Sequence, residues 1–297
     1  SVADKTVLLR VDYNVPFRPG TMQISDDSRI RASLPTVRYL VGQGCKVVLC
    51  SHVGRPKGKV VDEMRMAPVA QRLTELLGVP VLEAPDCVGP AVQRTVDALP
   101  SSGIALLENL RFHGGEEAND PRFASELASL AQVYVNDAFG AAHRAHASTE
   151  GVTRHLPSVA GLLMTQELRM LGGLLKQPAR PFVAVLGGAK VSGKIDALQN
   201  LAGRVDTMIV GGGMAATFLK TRGLEVGESL VEDDRIPVAQ ELLRADDKSD
   251  YDMLLPVDVV VAEAFSAEAD HKVVEADQIP PTWRIMDIGP RTAAAYE

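Results

Sequence analysis

Four short segments in the first half of the chain carry side chains that could bind a small anion. They are Arg10–Pro16, Ser51–Pro56, Glu108–Phe112 and Ala142–Ala147. The candidate ligand-binding residues in these segments are Asp12, Asn14, His52, Arg55, Asn109, Arg111, His143, Arg144 and His146. Arginine offers a planar fork of donors that matches phosphate and carboxylate oxygens. Asp12 and Asn14 could pair with hydroxyl groups, so the set predicts a ligand that is small, multiply anionic and hydroxylated.

Each of these residues also has a simpler interpretation. A single Arg is more often a solvated or ion-paired surface residue, and His143 or His146 could brace a loop. Asp26 and Asp27 are typical of a turn and a helix cap. The functional interpretation depends on four independent segments with the same chemistry meeting at one place.

A glycine-rich segment in the second half, Gly187–Lys194, has the composition of a phosphate-binding loop. It follows an apolar run and leads into a helical pattern, so its backbone could approach phosphates at a helix N-terminus. Gly188 to Lys194 has the spacing of a P-loop, but Ile195 lacks the hydroxyl that would contact Mg²⁺. A P-loop kinase is therefore an alternative, and it leaves the first half unexplained.

Three consecutive glycines, Gly211, Gly212 and Gly213, follow the next apolar run. They allow a flat ligand face to lie against the backbone, because glycine has no side chain to hold the ligand away. This favours the site of a nucleotide base, with tight strand–helix packing as the alternative.

Short apolar runs alternate with amphipathic helical patterns along the chain, which predicts a parallel, doubly wound α/β fold. The runs are Thr6–Val11, Lys46–Cys50, Ile104–Leu107, Val133–Val135, Phe182–Leu186, Thr207–Val210, Met253–Val257 and Arg284–Ile288. The four polar segments follow the first four runs, and open parallel sheets bind ligands beyond the carboxyl ends of their strands. Between the two groups of four lies the helical pattern Leu162–Leu175. We predict a first domain over 1–160, a connecting helix over 161–178 and a second domain over 179–297.

Composition limits the possible partners and the cellular setting. A formal net charge of -7 argues against nonspecific nucleic-acid binding, which needs a basic surface. Cys45, Cys50 and Cys87 lack the spacing of a zinc site or a disulfide scaffold, and the first two are expected to be buried thiols. The sequence has no long apolar run and no signal-peptide pattern at its start. We therefore expect no membrane partner and a cytoplasmic location.

A series of motifs in chain order resembles those of phosphoglycerate kinases. They are RVDYNVP, SHVGRPKGK, LLENLRFH, VNDAFGAAHRAHAS, VLGGAKVSGK, IVGGGMA, LPVD and DIGP. The resemblance implies two Rossmann-like domains joined by a helix, with a hinge that closes them. The first would bind 3-phosphoglycerate or 1,3-bisphosphoglycerate, and the second ADP or ATP with Mg²⁺. The implied reaction is the reversible phosphoryl transfer of glycolysis between 1,3-bisphosphoglycerate with ADP and 3-phosphoglycerate with ATP.

The resemblance also implies roles for individual residues. Substrate contacts would come from Asp12, Tyr13, Asn14, Arg29, His52, Val53, Gly54, Arg55, Arg111 and Arg144. Nucleotide contacts would come from Lys190, Lys194, Gly211, Gly212 and Gly213. Arg29 and Lys190 are the candidates for stabilising the moving phosphoryl group. The reacting oxygens belong to a carboxylate or a phosphate, so positioning and charge stabilisation are needed rather than a general base.

The sequence departs from the family pattern at three places. Gly193 stands where an Asp is usual in the lysine loop, and Ile285 stands where a glycine is usual before DIGP. The later family segments, including the Asp expected to contact Mg²⁺, are not in this sequence. We therefore expect a C-terminally incomplete enzyme with a partial second domain, no metal ligand within the chain, and a monomer when complete. The alternative is an inactive fragment that binds 3-phosphoglycerate.

Overall fold

The structure of the protein is a computed structural model, which describes residues 1–246 and 251–297. It divides into two compact units, Ser1–Gly173 and Leu174–Glu297, which are described separately. The division falls within the helical segment that sequence analysis placed between the two halves.

The first unit contains a six-stranded, fully parallel sheet. Its strands are β1 (Thr6–Arg10), β2 (Lys46–Cys50), β3 (Val81–Glu83), β4 (Ile104–Leu106), β5 (Val133–Asn136) and β6 (Ser158–Ala160). The order across the sheet is β3-β4-β2-β1-β5-β6, and every neighbouring pair is parallel. The four predicted strands are the four central ones, β4, β2, β1 and β5. The two edge strands, β3 and β6, were not predicted.

Helices connect these strands. They are α1 (Ser28–Gly42), α2 (Ala67–Leu77), α3 (Pro90–Asp97), α4 (Gly114–Glu117), α5 (Pro121–Ser129), α6 (Phe139–Ala142) and α7 (Leu162–Lys176). Successive residues of a strand point to opposite faces. Val7 and Leu9 accordingly lie in one hydrophobic core and Leu8 lies in another. The sheet is buried on both faces, which confirms the doubly wound α/β class.

All three cysteines are buried free thiols in this unit. Cys45 belongs to the core on one face of the sheet, and Cys50 and Cys87 belong to the core on the other. Burial raises the pKa of Cys50 to about 12, so this thiol stays protonated at neutral pH. The expectation of buried thiols at Cys45 and Cys50 is confirmed.

The second unit contains two small sheets in its described part. The first is parallel, in the order β7 (Val183–Leu186), β8 (Thr207–Val210), β9 (Asp252–Leu254). The second is antiparallel, with β10 (Asp258–Ala262) between β11 (His271–Glu275) and β12 (Arg284–Ile288). The helices are α8 (Ile195–Ala202), α9 (Met214–Thr221), α10 (Ile236–Asp246) and α11 (Pro290–Tyr296).

The last predicted strand, Arg284–Ile288, does not extend the parallel sheet. As β12 it pairs antiparallel with β10. Only Leu255–Val257 separates β9 from β10, whereas a crossover to a neighbouring parallel strand needs a dozen or more residues. The chain therefore begins a second sheet at β10, and one core joins the two sheets through residues such as Met208, Met253 and Val259.

The final helix is fixed to the start of β10 by a buried carboxylate. Asp258 Oδ1 accepts hydrogen bonds from the Thr292 backbone N–H at 2.7 Å and from Thr292 Oγ1 at 2.6 Å. Burial would raise the pKa of Asp258, but the bonds from Thr292 and the Arg291 backbone outweigh it and hold that pKa below its usual range. The LPVD and DIGP motifs thus meet at the N-terminus of α11.

No helix within the described ranges is both long enough and apolar enough to span a bilayer.

Candidate functional site

The sheet order of the first unit brings the four polar segments to neighbouring positions. Strands β4, β2, β1 and β5 are adjacent and parallel, so the loops that follow them leave the same edge of the sheet. Glu108–Phe112 follows β4, Ser51–Pro56 follows β2, Arg10–Pro16 leaves the end of β1, and Ala142–Ala147 lies beyond β5. Hydrogen bonds between these loops define the geometry of the site.

Asp12 and Asn14 organise the loop after β1. Asp12 Oδ2 accepts a hydrogen bond from Arg29 Nη1 of α1 at 2.9 Å, in an ion pair whose Arg side chain is 49% exposed. Asp12 Oδ1 accepts from the Asn14 backbone N–H at 3.2 Å. Asn14 Oδ1 in turn accepts from the Gly54 backbone N–H at 2.8 Å, which connects this loop to the loop after β2. Asp12 and Arg29 also line a cavity of about 130 Å³.

Tyr13 lies between these two residues, but its side chain points into the protein. It is fully buried in a hydrophobic core, where its hydroxyl lies 2.8 Å from Ser33 Oγ. Burial raises the pKa of Tyr13 well above its usual range, so the phenol stays neutral. Only the backbone of Tyr13 is near the loop, and its side chain serves as packing.

Arg111 joins the loop after β4 to the loop after β2. Its Nη1 donates to the Gly54 carbonyl at 2.8 Å, and the side-chain amide of Asn109 donates to the Val53 carbonyl at 2.8 Å. Gly54 has φ +63°, and an added Cβ would lie 2.7 Å from Met64 Sδ, so a larger residue would be strained and crowded. Val53 itself is buried in the core, which leaves only its backbone facing the loop.

Arg111 and Arg55 differ in their surroundings. Arg111 is 5% exposed, and burial is the main cause that lowers its pKa. Arg111 Nε lies 3.2 Å from Glu117 Oε1 but makes no hydrogen bond there. Arg55 is exposed, and its side chain has no hydrogen bond or ion pair with any residue that the structure describes. Arg55 is therefore available to a ligand without a competing internal partner.

The loop beyond β5 adds Arg144 and His146. Arg144 is half-buried, and its guanidinium has no partner among the described residues. His146 Nδ1 lies 3.9 Å from Glu116 Oε1, and burial is the main cause that lowers the pKa of His146. His143 is exposed and bonds only through its backbone in the described chain. Arg144 therefore offers a second free guanidinium at this edge.

His52 is a buried residue that is affected by the charges of several of these loops. It is 4% exposed, and its Nδ1 is 3.0 Å from Nη2 of the buried Arg10. Burial is the main cause that lowers its pKa to about 2, and the positive charges of Arg10, Arg111 and Arg144 act in the same direction. The ring is therefore neutral at physiological pH. The charges of Arg10, Arg111 and Arg144 act on this ring from three neighbouring segments, and a cluster of positive charges of this kind attracts an anion.

In the second unit, the lysine loop and the glycine triplet pack against each other. The Met214 backbone N–H donates to the Gly188 carbonyl at 2.7 Å. Gly212 has φ +62°, and an added Cβ would lie 3.1 Å from the Gly188 backbone nitrogen. An added Cβ on Gly188 would in turn lie 2.7 Å from Lys194 Nζ, so this ammonium group sits over bare backbone. The two glycine-rich segments form one surface, as a shared ligand would require.

Glu232 lies outside the lysine loop in sequence and fixes it through hydrogen bonds to Ser192. Its carboxylate accepts hydrogen bonds from the backbone N–H and the hydroxyl of Ser192, and the charge of Lys190 acts on it as well. Burial would raise the pKa of Glu232, but these interactions hold it below its usual range. Lys190 is exposed and makes no side-chain hydrogen bond within the described part of the chain. Its ammonium group is free to bind phosphate.

Sequence reasoning missed the residues that hold the sites together. Arg10, Ser148 and Glu116 form a buried hydrogen-bonded chain in the first unit, and Glu232 anchors the loop in the second. Arg10 had a sequence signal, because a charged residue ends an otherwise apolar strand. Glu232 had none, since it lies 40 residues beyond the Ser192 it binds.

The described residues do not form a magnesium site in the second unit. Mg²⁺ prefers carboxylate and other oxygen ligands in octahedral geometry. Among the described residues, the one group of three side chains that could hold a metal is Asp86, Cys87 and His113, in the first unit. Glu232, the carboxylate at the lysine loop, is occupied by Ser192. The described residues of the second unit therefore do not fit Mg²⁺.

Comparison with known proteins identifies the family. The family model for phosphoglycerate kinase matches residues 1–297. The chain belongs to the phosphoglycerate kinase family. A phosphoglycerate kinase of Moorella thermoacetica is 56% identical over 293 residues, which are 99% of this chain and 74% of that protein. One of a Roseiflexus species is 54% identical, over 98% of this chain and 74% of that protein.

Solved phosphoglycerate kinase structures share the fold. The structure from Coxiella burnetii matches with a TM-score of 0.79 at 39% identity, over 99% of this chain and 74% of that one. The structure from Pyrococcus horikoshii matches with a TM-score of 0.82 at 31% identity, over 99% and 75%. The chain is thus shorter than the phosphoglycerate kinases it matches. The family match includes the lysine loop, so this loop is the one of phosphoglycerate kinases and the alternative of a P-loop kinase is excluded.

Proposed function

We propose that the first unit binds 3-phosphoglycerate and 1,3-bisphosphoglycerate at the carboxyl edge of its parallel sheet. One observation carries the proposal: three loops bring Arg55, Arg111, Arg144 and the neutral His52 to this edge, and two of these guanidinium groups have no internal partner among the described residues. Such a surface is short of negative charge. A phosphoglycerate supplies a phosphate, a carboxylate and a hydroxyl, which is the combination predicted from the residue types.

The proposed contacts divide by chemistry. Arg55, Arg111 and Arg144 would bind the phosphate and carboxylate oxygens, because charge-assisted hydrogen bonds from arginine are strong and directional. Asp12 and Asn14 would orient the ligand hydroxyl. Tyr13, Val53 and Gly54 would contribute through their backbone, since the two side chains are packed in the core.

The second unit is proposed to bind ADP and ATP. Lys190 and Lys194 would bind the phosphates, because both ammonium groups belong to a loop whose backbone is left open by glycine. Gly211, Gly212 and Gly213 would lie against the base. Mg²⁺ is proposed to accompany the nucleotide.

The reaction of the family is a phosphoryl transfer, in which one O–P bond forms as another breaks. The carboxylate of 3-phosphoglycerate attacks the terminal phosphorus of ATP, a new O–P bond forms, and the bond to the ADP oxygen breaks. The attacking carboxylate oxygen is already anionic, and the leaving ADP oxygen takes up the negative charge as its bond breaks, so no proton has to be removed. Arg29 and Lys190 would stabilise the charge on the moving group, which is the main task of a protein in such transfers.

Two proposals concern the setting. We propose a cytoplasmic location, because the three cysteines are free thiols, which persist in reducing compartments. We also propose that the complete enzyme is a monomer. Its sedimentation coefficient would test this.

The proposed function is tested by measuring binding and turnover separately. The chain is titrated calorimetrically with 3-phosphoglycerate, then with ADP in the presence of Mg²⁺, and turnover is followed by a coupled assay of ATP consumption. Binding of both ligands with turnover supports the kinase, and binding of 3-phosphoglycerate alone supports the inactive fragment that sequence analysis kept as the alternative. A chain that binds no 3-phosphoglycerate would overturn the assignment of the first unit.

A further inference from the structure

Arg10 ends β1 and lies beneath the loops of the anion site. Its guanidinium is 1% exposed, and Nη2 is 3.0 Å from His52 Nδ1. A guanidinium group has only donors, so in this bond the imidazole nitrogen must be the acceptor. His52 Nδ1 therefore carries no proton, and the proton of the neutral ring is on Nε2.

The position of Arg10 is itself fixed by a chain of buried hydrogen bonds. Arg10 Nε donates to Ser148 Oγ at 2.9 Å. Ser148 Oγ donates to Glu116 Oε1 at 2.6 Å, and the Ser148 backbone N–H donates to Glu116 Oε2 at 3.0 Å. Glu116 is fully buried. The order of donors is unambiguous, because a carboxylate can only accept and a guanidinium can only donate.

Arg10 is poorly placed to touch a ligand itself. Its Nη1 donates to the Val11 carbonyl and lies 3.4 Å from Ser51 Oγ, so each of its three nitrogens already has an internal partner. The His52 ring, in contrast, makes no other hydrogen bond with the residues that the structure describes. Any effect of Arg10 on a ligand would therefore pass through His52.

We propose that Arg10 is a positioning residue that holds His52 as the neutral tautomer protonated on Nε2, so that the ring presents one fixed N–H donor to an oxygen of the phosphoglycerate. The inference rests on the proposed function of the first unit. In this proposal, the hydrogen bonds from Arg10 to Ser148 and from Ser148 to Glu116 orient His52, which is a neutral donor among the charged arginines of the site.

The neutral state of the ring follows from its burial and from the charges around it. The charged and titratable groups that act on it are Arg10, Arg111, Arg144 and His146, with Glu116 behind Ser148. Burial and this positive surrounding lower the pKa of His52 to about 2. A donor that stays neutral gives the same hydrogen bond across the physiological pH range, which a titrating histidine would not.

The tautomer is measurable by NMR on the full 297-residue chain. Nitrogen-15 spectra of the six histidines, with His52 assigned by its loss in His52→Gln, report which ring nitrogen is protonated. We expect Nε2 to be the protonated nitrogen of His52 from about pH 5 to pH 8, and Arg10→Met to mix the tautomers or to make the ring titrate. A proton on Nδ1 in the wild type, or an unchanged His52 spectrum in Arg10→Met, would overturn the proposal.

Binding of 3-phosphoglycerate provides a second readout. Arg10→Met should weaken binding about tenfold, as expected for the loss of one hydrogen bond to a charged group. The same substitution should have no further effect in a His52→Gln background. His155→Gln, which changes an exposed histidine of the same unit, is the control and should bind as the wild type does. An equal effect of Arg10→Met in both backgrounds would show that Arg10 does not act through His52.

The outcomes separate this inference from the proposed function. The expected tautomer without 3-phosphoglycerate binding would overturn the proposed function and leave the tautomer standing. Binding of 3-phosphoglycerate with the His52 proton on Nδ1 would overturn the tautomer and leave the proposed function standing. If Arg10→Met fails to fold, Ser148→Ala releases the Arg10 guanidinium more gently, and the wild-type spectrum decides the tautomer without any variant.

Discussion

Arg29 of α1 and Asp12 of the loop after β1 form an ion pair of 2.9 Å at the edge of the parallel sheet. The Arg29 side chain is 49% exposed, so a ligand anion could compete with Asp12 for it. In a complete enzyme, we expect Arg29→Ala to lower turnover far more than substrate affinity, by about 10³-fold or more, as in other phosphoryl-transfer enzymes that lose such an arginine. Arg31→Ala is the matched control, because Arg31 is a similarly exposed residue of the same helix that pairs with Asp27. A decrease of less than about tenfold at saturating substrates would exclude the assigned role.

Arg55 should contribute to binding without contributing to stability. Because its side chain is exposed and has no partner in the described chain, Arg55→Ala removes only a ligand contact. We expect 3-phosphoglycerate binding to weaken by about 1.5–3 kcal/mol, measured by calorimetry, with the same unfolding midpoint as the wild type. Lys59→Ala, an exposed cation of the same loop, should leave the affinity unchanged. Equal affinities in Arg55→Ala and the wild type would remove Arg55 from the site.

His52 should make the first unit less stable in mild acid. Its pKa is lowered to about 2 in the folded chain, while an unfolded histidine titrates near 6.5. Below about pH 6.5 the unfolded state therefore binds the extra proton, so stability is lost as the pH falls from there toward 2. At pH 5 the loss from this residue is about 2 kcal/mol.

Hydrogen exchange of the β2 amides, corrected for intrinsic rates, measures this loss within the first unit. His52→Gln should flatten the decline in protection between pH 7.5 and pH 5, and His155→Gln should not. An identical decline in His52→Gln and the wild type would mean that another group is responsible.

Gly289 should be sensitive to any larger residue, because of Asp258. An added Cβ would lie 2.3 Å from Asp258 Cγ, and Oδ1 of the same carboxylate accepts a bond that fixes α11. We expect Gly289→Ala to destabilise the second unit by about 1–3 kcal/mol, the usual range for overpacking a filled site. Gly203→Ala is the control, since nothing lies within 4 Å of its added Cβ. The measurement is denaturant unfolding followed by the fluorescence of Trp283, and equal midpoints for the two variants would contradict the prediction.

Glu232 should support nucleotide binding without touching the nucleotide. Glu232→Ala removes the acceptor of both Ser192 bonds, so the lysine loop loses its anchor. We expect ADP affinity to decrease about tenfold, equivalent to one charged hydrogen bond. Asp233→Ala changes the neighbouring carboxylate, which pairs with Lys220 instead, and serves as the matched control. If both variants bind ADP equally well, the loop does not depend on Glu232.

The central strands of the first unit could be predicted because their sequences carry a strong signal. β1 and β2 are buried on both faces, so their central residues form a continuous apolar run. The edge strands β3 and β6 have three residues each, and all of β6 is exposed, so neither shows such a run. The antiparallel partner of Arg284–Ile288 was also not predictable, because a run of apolar residues does not specify which strand it pairs with.

The candidate site could also be predicted only in part. Loop positions after parallel strands predicted which backbone segments meet, since topology alone brings them to one edge. They did not predict where side chains point: Tyr13 and Val53 lie in matched motif positions but are packed in the core. Arg10 lies within a run that the sequence predicts as an apolar strand, so its bond to His52 could not be predicted.

The distribution of cysteine and tryptophan gives each unit its own reporter. All three thiols are buried in the first unit, and the single tryptophan, Trp283, belongs to the second, with Lys272 Nζ 4.4 Å from its ring centroid. A thiol reagent reacts with buried cysteines only when the structure around them opens, while indole emission follows the surroundings of Trp283. Labelling kinetics and fluorescence recorded on the same sample therefore show whether the two units open together or one after the other, without adding any probe to the chain.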